Sequence, residues 1–477
     1  MQVGLEEQVA PLQGRIPVFT RSVKGAFRRF KSSVLITAYA VFFLLPWLPW
    51  RRIDGLGQAV LFDVPGRRFL IFDLTMYPQD VVWLALLLFI AATILFFATA
   101  LVGRAFCGYF CFQTLWTDFF IWIESKIQGE RPARVRLYRQ PWNREKALKI
   151  GATHLIWLAA SFWTGMTFIL YFGYAPELVA RFFTGGAPVA AYITVAVLTL
   201  STYFAAGYMR EQICTYVCPY GRFQSVMYDP ETLAVHYDAR RGEGRLGRAS
   251  ARSGMRTLEE RHAKGHGDCI DCGLCVQVCP TGIDIRDGLQ YKCISCGLCI
   301  DACNGIMGSM GFAQGLIRYD SEANLSKPEP AMPRLHWKRL KVIGYGVAIV
   351  LMAAYLAYSI GSRRSFEGAI TQVRQPLFVV LSNGDIRNRY QIRVTNKLGV
   401  PETFSVAVKG LPESALDLGD LREVTVRPGH SAILQASVIL DHEAAEKTHE
   451  IKFVITPRSR PQEARIESAG FHYSEHN

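Results

Sequence analysis

Long apolar stretches, separated by polar segments, dominate the pattern of this chain. Five of them have 18 or more residues with almost no charge, which is enough for a helix to cross the hydrocarbon core of a bilayer. Half of the 477 residues are hydrophobic and the mean hydropathy is positive, as expected for a membrane protein that also has polar domains. We therefore predict five transmembrane helices, at Ser33–Trp50, Val81–Gly103, Ala152–Gly173, Pro188–Met209 and Val342–Ile360.

The pattern changes after the last apolar stretch, where polar and apolar residues alternate in short segments. Such alternation is typical of β-strands with one buried face. Turn residues such as Asn383-Gly384-Asp385 and Pro428-Gly429 separate the segments. Short strands at this spacing predict a β-sandwich of immunoglobulin type at residues 361–477. The predicted strands are Leu377–Leu381, Arg389–Asn396, Thr403–Val408, Arg422–Val426, Ala432–Ile439 and Glu450–Ile455.

Basic residues accumulate beside some ends of the apolar stretches and not beside others. The loop Arg104–Lys149 and the segment Arg210–Leu340 are rich in arginine and lysine, whereas Tyr174–Ala187 has only Arg181. Because basic loops stay in the cytoplasm, we expect the N-terminus there and the C-terminal domain on the other side. The net charge of +13 suits contact with anionic lipid, and the sequence has no nucleic-acid-binding motif. The first apolar stretch follows Arg21, Lys24, Arg28, Arg29 and Lys31.

Eight of the twelve cysteines form two consecutive arrays of identical spacing. Each array reads C-x2-C-x2-C-x3-C, the spacing by which bacterial-type ferredoxins hold two 4Fe-4S clusters, with the fourth cysteine of each array binding the other cluster. A zinc site would use only four ligands, and a disulfide framework is typical of small secreted domains. We therefore predict a ferredoxin domain at residues 267–315. The expected ligand sets are Cys269, Cys272, Cys275 and Cys303 for one cluster and Cys279, Cys293, Cys296 and Cys299 for the other.

The remaining segments complete the predicted organisation. Residues 1–32 form a cytoplasmic N-terminal segment, and residues 33–239 form the membrane domain with the first four spans, at about 33–50, 81–103, 152–173 and 188–209. Residues 240–266 are rich in glycine, arginine and serine, a composition that predicts a mobile linker. Residues 316–341, which contain several prolines, form a second linker before the last span at 342–360.

The other four cysteines form two C-x3-C motifs, Cys107–Cys111 and Cys214–Cys218. Each motif follows an even-numbered span, and the two are 107 residues apart, so the unit of two spans and one motif is repeated. If the helix continues through a motif, both sulfurs lie on one face of it. The two pairs then suit one shared thiolate site for Cu(I), zinc or a further iron–sulfur cluster. A reversible disulfide and inert buried cysteines are the alternatives.

These motifs together resemble the CcoG family, whose members are also called FixG or RdxA, the cytochrome c oxidase accessory proteins. The resemblance rests on the two C-x3-C motifs, the double ferredoxin array, the C-terminal sandwich and the stretch that runs from Arg210 through Cys214 and Cys218 to Gln224. It covers nearly the whole chain. Phe112 stands where the family usually has proline after the first motif, which makes the local turn there uncertain in form.

The resemblance implies a protein of the bacterial inner membrane that acts in assembly of cbb(3)-type cytochrome c oxidase. It implies a cupric reductase that reduces Cu(II) to Cu(I), with copper as substrate or transient ligand of Cys107, Cys111, Cys214 and Cys218. The ferredoxin domain would face a cytoplasmic electron donor. The C-terminal domain would face the periplasm, where oxidase subunits or copper chaperones dock, and a homodimer is compatible with this arrangement.

Two other functional classes fit the same residues. One is a quinol-linked electron relay, similar to the membrane ferredoxins of periplasmic nitrate reduction, which also have C-x3-C-P motifs. The other is a copper chaperone or scaffold without enzymatic activity, in which the clusters serve only the structure. The large C-terminal domain favours an assembly factor, because a relay has no evident need for it. His154, just inside the third span, is a weaker candidate for a metal or quinone site.

Overall fold

Two compact units make up the structure. The computed structural model describes residues 18–52, 55–250, 253–255, 257–328, 331–362, 365–419 and 422–473. The first unit combines the residues up to Leu45 with Leu88–Leu170 and Glu177–Ala353, and the second combines Pro46–Leu87, Tyr171–Pro176 and Ala354–Asn477. All twelve cysteines belong to the first unit.

Within the described residues, five helices are long and apolar enough to cross a membrane, which confirms the predicted multi-pass architecture. The first and third begin at Ala26 and Arg144 rather than at Ser33 and Ala152, because the helical conformation continues through the charged residues that precede each apolar stretch. The fourth helix changes to a π-helical segment at Tyr203–Met209, just before the second C-x3-C motif. The five helices are α1 (Ala26–Leu44), α2 (Val81–Val102), α6 (Arg144–Leu170), α8 (Val189–Thr202) and α15 (Leu340–Gly361).

Shorter helices connect and follow the five long ones. Among them, α4 buries Trp116, Phe120 and Ile123 against Trp157 of α6 and Ala206 of the π-helical segment. This amphipathic helix therefore holds the first C-x3-C motif against the third and fourth long helices. The shorter helices are α3 (Ala105–Tyr109), α4 (Phe112–Ile127), α5 (Arg131–Arg139), α7 (Ala175–Phe183), α9 (Pro219–Met227), α10 (Ala239–Gly242), α11 (Leu258–Ala263), α12 (Leu274–Gln277), α13 (Leu298–Ser309), α14 (Glu322–Leu325) and α16 (His442–Lys447).

The cysteine arrays lie in a small domain that extends beyond the predicted residues 267–315. Two strands, β6 (Ala234–Tyr237) and β7 (Ile317–Asp320), pair antiparallel on either side of the arrays. Val235 and Ile317 from these strands pack in one apolar core with residues between the cysteines. Neither segment predicted as a linker is only a linker, because residues 240–266 contain most of α10 and all of α11, and residues 316–341 contain β7 and α14.

Arg261 explains why residues 240–266 are folded although their composition predicts a mobile linker. Its side chain is fully buried, and it donates hydrogen bonds to the carbonyl oxygens of Ala249, Gly267 and Cys269 at 2.9, 3.1 and 2.7 Å. A buried guanidinium with several acceptors orders the backbone around it. His262, which also lies there, contacts the carboxylate of Asp268 at 2.9 Å.

The first long helix is attached to the cysteine domain by charged side chains. The carboxylate of Asp301, on α13, accepts hydrogen bonds from the backbone N–H groups of Phe27 and Arg28 at 3.3 and 2.7 Å. A carboxylate at a helix N-terminus satisfies unpaired donors there and complements the helix dipole. Lys31, which is only 1 % exposed, forms an ion pair with Asp118 of α4 at 3.4 Å. These contacts link α1, α4 and α13 in the first unit.

The second unit begins with five short strands that the sequence analysis did not predict. Two of them form a hairpin, and the other three form an antiparallel sheet. Each strand has only three or four residues, too few to produce a recognisable alternation. The strands are β1 (Pro49–Arg52), β2 (Gly55–Gln58), β3 (Val60–Asp63), β4 (Arg68–Ile71) and β5 (Leu74–Met76).

The C-terminal residues form the predicted β-sandwich. One sheet has the order β12-β14-β10-β8, with β9 also paired to β10, and the other has the order β13-β11-β15-β16. Aromatic side chains from both sheets fill the core, where Tyr390 contacts Phe453 and Phe366 contacts Phe404. The strands are β8 (Phe366–Gln372), β9 (Val379–Val380), β10 (Ile386–Asn396), β11 (Glu402–Lys409), β12 (Leu416–Asp417), β13 (Glu423–Val426), β14 (Ser431–Leu440), β15 (Glu450–Pro457) and β16 (Arg465–Gly470).

Replacing Arg261 with alanine should loosen the segment that leads into the first cysteine array. The change removes the donor from three carbonyl oxygens, and a buried acceptor left unsatisfied costs about 1–3 kcal/mol. We expect faster hydrogen–deuterium exchange over residues 242–269 in Arg261→Ala than in the wild type. Arg245→Ala is the control, because Arg245 is an exposed arginine of the same segment. Equal exchange in the two variants would contradict the ordering role of Arg261.

Candidate functional site

The first expected ligand set surrounds one cavity. Cys269, Cys272, Cys275 and Cys303 all line it, together with apolar residues such as Ile270, Leu274, Met307 and Ile317. The empty volume is about 390 Å³. Of the twelve cysteines, all of which lie in the described residues, only Cys272 is classed as exposed. This cavity therefore contains the most exposed of the twelve cysteines.

The second expected set surrounds a separate cavity with an empty volume of about 360 Å³. Cys279, Cys293, Cys296 and Cys299 line it, and Cys275 of the other set lies between the two. The structure thus brings the fourth cysteine of each array to the cavity of the other, as the ferredoxin spacing predicts.

The backbone repeats one unusual turn beside each cavity. In the first array Asp271 and Gly273, on either side of Cys272, have φ angles of 46° and 66°, and in the second array Ser295 and Gly297, around Cys296, have 50° and 71°. Positive φ is uncommon for residues other than glycine. Its occurrence at Asp271 and at Ser295 indicates a backbone held for its effect on the neighbouring cysteine.

Burial makes several thiols of the two cavities poor acids. It raises the pKa of Cys275 to about 11 and the pKa of Cys293 and Cys303 to about 12, with neighbouring cysteines adding to the effect. Such thiols become ligands only when a cation compensates the thiolate charge. Four converging thiols in an apolar cavity are the donor set of a 4Fe-4S cluster, so the residues present fit two such clusters.

No set of three or more His, Cys, Asp or Glu side chains within the described ranges is arranged around a single ion. The four cysteines of each cavity lie around its walls.

The two C-x3-C motifs have the same local structure, which differs from the continuous helix considered in the sequence analysis. The helix ends between the two cysteines of each motif, and the second cysteine is the N-cap of the next helix, α4 at Cys111 and α9 at Cys218. Both second cysteines are extended, with ψ angles of 130° and 111°. Their N–H groups donate to the carbonyl five residues earlier, that of Phe106 at 3.0 Å and that of Ile213 at 2.8 Å.

In the second motif, a proline explains the extended conformation of the second cysteine. The first motif has no proline at that place. Pro219 favours an extended Cys218, because the residue before proline avoids helical angles. Phe112 occupies the corresponding place after Cys111, yet Cys111 is extended as well. The first turn therefore forms without proline.

Side chains and backbone from both motifs meet in one place. The Cys107 thiol lies 3.1 Å from the side-chain oxygen of Gln224 on α9, and the Tyr220 hydroxyl lies 2.7 Å from that of Thr99. Burial, followed by the nearby Cys111, raises the pKa of Cys107 to about 12, with Cys214 and Cys218 adding to the shift. Burial, with Cys111 and Cys218, likewise raises the pKa of Cys214 to about 11. The four sulfurs thus share one electrostatic neighbourhood.

Arg104 joins the two motifs and was missed by the sequence analysis. It is 3 % exposed, and its guanidinium donates to the carbonyl oxygen of Gly221 in α9. Its charge lowers the pKa of both Cys107 and Cys214, against the larger effect of burial. The position of Arg104 three residues before Cys107 was the available signal, but it was counted only as part of a basic loop.

His154 lies apart from these thiols. Its ring nitrogen is 3.0 Å from the hydroxyl of Tyr203, and its ring stacks on Tyr208 at 5.8 Å. These contacts are those of a hydrogen-bonded interfacial histidine.

Family models agree with this organisation. A 4Fe-4S dicluster domain matches residues 209–322, a 4Fe-4S binding domain matches residues 84–129, and the IG-like fold at the C-terminal of FixG matches residues 356–473. The first range contains both cysteine arrays and the second C-x3-C motif. The second range contains the first C-x3-C motif, Cys107–Cys111.

Curated relatives extend the similarity over most of the chain. Protein RdxA of Cereibacter sphaeroides is 43% identical over 406 residues, which cover 83% of each chain. Protein RdxB of the same organism is 39% identical over 437 residues, 89% of each chain. Nitrogen fixation protein FixG of Rhizobium meliloti is 38% identical over 447 residues, 86% of this chain and 84% of that relative. With its 4Fe-4S domains, five apolar helices and C-terminal sandwich, the chain belongs to the FixG/RdxA family of iron–sulfur proteins.

Proposed function

We propose that this iron–sulfur electron-transfer protein reduces Cu(II) to Cu(I) during assembly of a cbb(3)-type cytochrome c oxidase. The observation that carries the proposal is that Cys107 lies near Gln224 of α9 and close enough to Cys111, Cys214 and Cys218 for them to affect its pKa, in the unit that also contains the two cluster cavities. Sulfur ligands favour Cu(I) over Cu(II). A thiol site next to a one-electron source is what the reduction of copper requires.

The cysteines divide into three sets with different roles. Cys269, Cys272, Cys275 and Cys303 hold one 4Fe-4S cluster, and Cys279, Cys293, Cys296 and Cys299 hold the other. When bound, such clusters supply one-electron oxidation and reduction. The third set consists of the four C-x3-C cysteines, which bind copper as the substrate and exclude bulk water from it.

Each turnover at the four C-x3-C cysteines transfers one electron to one copper ion. Cu(II) accepts one electron from the reduced protein and becomes Cu(I), and no bond of the substrate is broken. The thiols must lose their protons to bind, so copper binding releases protons from Cys107 and Cys214, whose pKa values lie above neutral pH. Arg104 compensates part of the thiolate charge.

The membrane orientation supports the same function. The basic segments favour the inner membrane with the cluster cavities in the cytoplasm and the sandwich in the periplasm. Electrons then come from a cytoplasmic donor. Oxidase subunits or copper chaperones dock at the sandwich, whose described residues form a compact body without cysteine. FixG of Rhizobium meliloti is named for nitrogen fixation, a setting that we do not carry over to this chain.

Copper reduction should depend on the C-x3-C thiols and not on the side chain of Phe112, which follows the first motif. We expect anaerobically purified, fully reduced protein to convert about two Cu(II) to Cu(I) per chain, since each of two clusters supplies about one electron. The double variant Cys107→Ser, Cys214→Ser should lose this reaction while both cluster EPR signals remain. A Cu(I)-specific chelator measures the copper that is reduced, and EPR measures the oxidation of the clusters.

Phe112→Pro is the matched control for the double variant. Proline is tolerated at the first position of a helix, and Cys111 is already extended, so the variant should reduce copper at the wild-type rate. Clusters that stay reduced beside Cu(II) in the wild type would exclude the cupric reductase. Reduction of the clusters by quinol would then favour the electron relay, and copper binding without any electron transfer would favour the scaffold.

The ligand sets can be tested one cluster at a time. Cys272→Ala and Cys296→Ala each remove a ligand from a different cavity, so each variant should lose one EPR signal and about half of the iron. The two variants should lose different signals. Loss of the same signal in both would contradict the division of the cysteines between the cavities.

A further inference from the structure

The backbone of Gly108, next to Cys107, lies against the backbone of the second cysteine array. A Cβ atom placed on Gly108 would lie 2.6 Å from the carbonyl oxygen of Ile294 and 2.9 Å from the Cα atom of Cys296. These distances are shorter than a carbon atom tolerates, and backbone atoms cannot rotate away. Only glycine permits this approach.

Two side chains on either side of Gly108 hold the same contact. The hydroxyl of Tyr109 donates to the carbonyl oxygen of Cys296 at 2.9 Å. The guanidinium of Arg104 donates to the carbonyl oxygen of Tyr291 at 2.5 Å and lies 4.6 Å from the centre of its ring. Helix α3 is therefore fixed to the segment from Tyr291 to Cys296 at three points.

The Cys107 side chain continues this contact. It packs against an apolar cluster that contains Ile294, Cys296 and Leu298. Cys296 is a ligand candidate of the second cavity, and it is buried. The first cavity, in contrast, is lined by described residues between Tyr237 and Ile317 and includes the exposed Cys272. The C-x3-C thiols thus adjoin the second cavity, which contains Cys296 (the Cys296 cavity). The first cavity, which contains Cys272, opens to solvent.

We infer that Gly108 is a positioning residue that sets the electron-transfer distance between the Cys296 cavity and the C-x3-C thiols. The inference rests on the proposed reduction of copper at those thiols. The rate of electron transfer falls steeply with distance. The backbone of Gly108, next to Cys107, lies in close contact with the backbone of Cys296, so this contact gives a short path between the two cysteines. A side chain at this position separates the two cysteines without removing any ligand.

Gly108→Ala tests the inference, with Gly305→Ala as its matched control. Both glycines are helical and lie within two residues of a cysteine, but a Cβ on Gly305 meets nothing within 4 Å. We expect Gly108→Ala to slow the oxidation of the reduced clusters by Cu(II) by about tenfold or more, since a displacement of about 1 Å at a reacting centre costs up to about 10²-fold. The copper concentration for half-maximal rate, the iron content and the cluster EPR spectra should stay unchanged.

Tyr109→Phe is a second variant for the case that Gly108→Ala does not fold. It removes the hydrogen bond to Cys296 and adds no atoms, so we expect a smaller decrease in the maximal rate, again without a change in half-saturation or EPR spectra. Hydrogen–deuterium exchange over residues 291–299 gives a readout independent of copper. It should increase in both variants and not in Gly305→Ala.

The outcomes separate the inference from the function on which it rests. Wild-type clusters that stay reduced beside Cu(II) would overturn both. Copper reduction in the wild type, with equal rates in Gly108→Ala and Gly305→Ala, would overturn only the role of Gly108. An altered EPR spectrum or iron loss in Gly108→Ala, with unchanged rate and spectrum in Tyr109→Phe, would reduce the contact to a structural role and would also overturn the inference.

Discussion

Burial of sulfur is the constraint on which this structure depends. Eight thiols lie in two cavities and four more at the C-x3-C motifs. Burial raises the pKa of Cys107, Cys293 and Cys303 to about 12. A buried thiol stays protonated and packs as a small apolar side chain, whereas a bound cation would stabilise its thiolate. Cation binding at these cysteines is therefore coupled to the loss of thiol protons. The same burial limits the access of water to the cysteines that take part in electron transfer.

Buried ion pairs then determine how α4, which follows the first C-x3-C motif, meets the elements around it. Glu124 of α4 binds both Arg134, at 3.0 Å, and Arg210, which precedes the second C-x3-C motif. Asp118 binds Arg28 and Lys31 of α1. Buried pairs of this kind add little net stability, but breaking one leaves an uncompensated charge that costs about 3–5 kcal/mol. Alternative placements of α1 and α4 are thus penalised, so charge as well as packing holds α4 in its place.

The parts of the structure that follow local patterns were predictable, and the parts that follow tertiary contacts were not. Apolar length identified the five helices, and cysteine spacing identified the two arrays, because both signals are contained in one segment. The strands from Pro49 to Met76 were missed, since three or four residues show no period. The composition around Arg261 predicts a linker, because the order of this segment comes from carbonyl acceptors as far away as Ala249. The composition of a segment does not show which carbonyl oxygens its arginine side chains contact.

The C-x3-C motifs show how a repeated sequence acquires different roles. Both copies end a helix at the same place and present the second cysteine at the start of the next helix. Each copy also uses a glycine where two backbones approach closely, but the partners differ. A Cβ on Gly221, in the second copy, would lie 2.9 Å from the carbonyl oxygen of Cys214 in its own motif, whereas Gly108 approaches the cysteine array. The second copy therefore packs against its own motif, and the first copy packs against the second cysteine array.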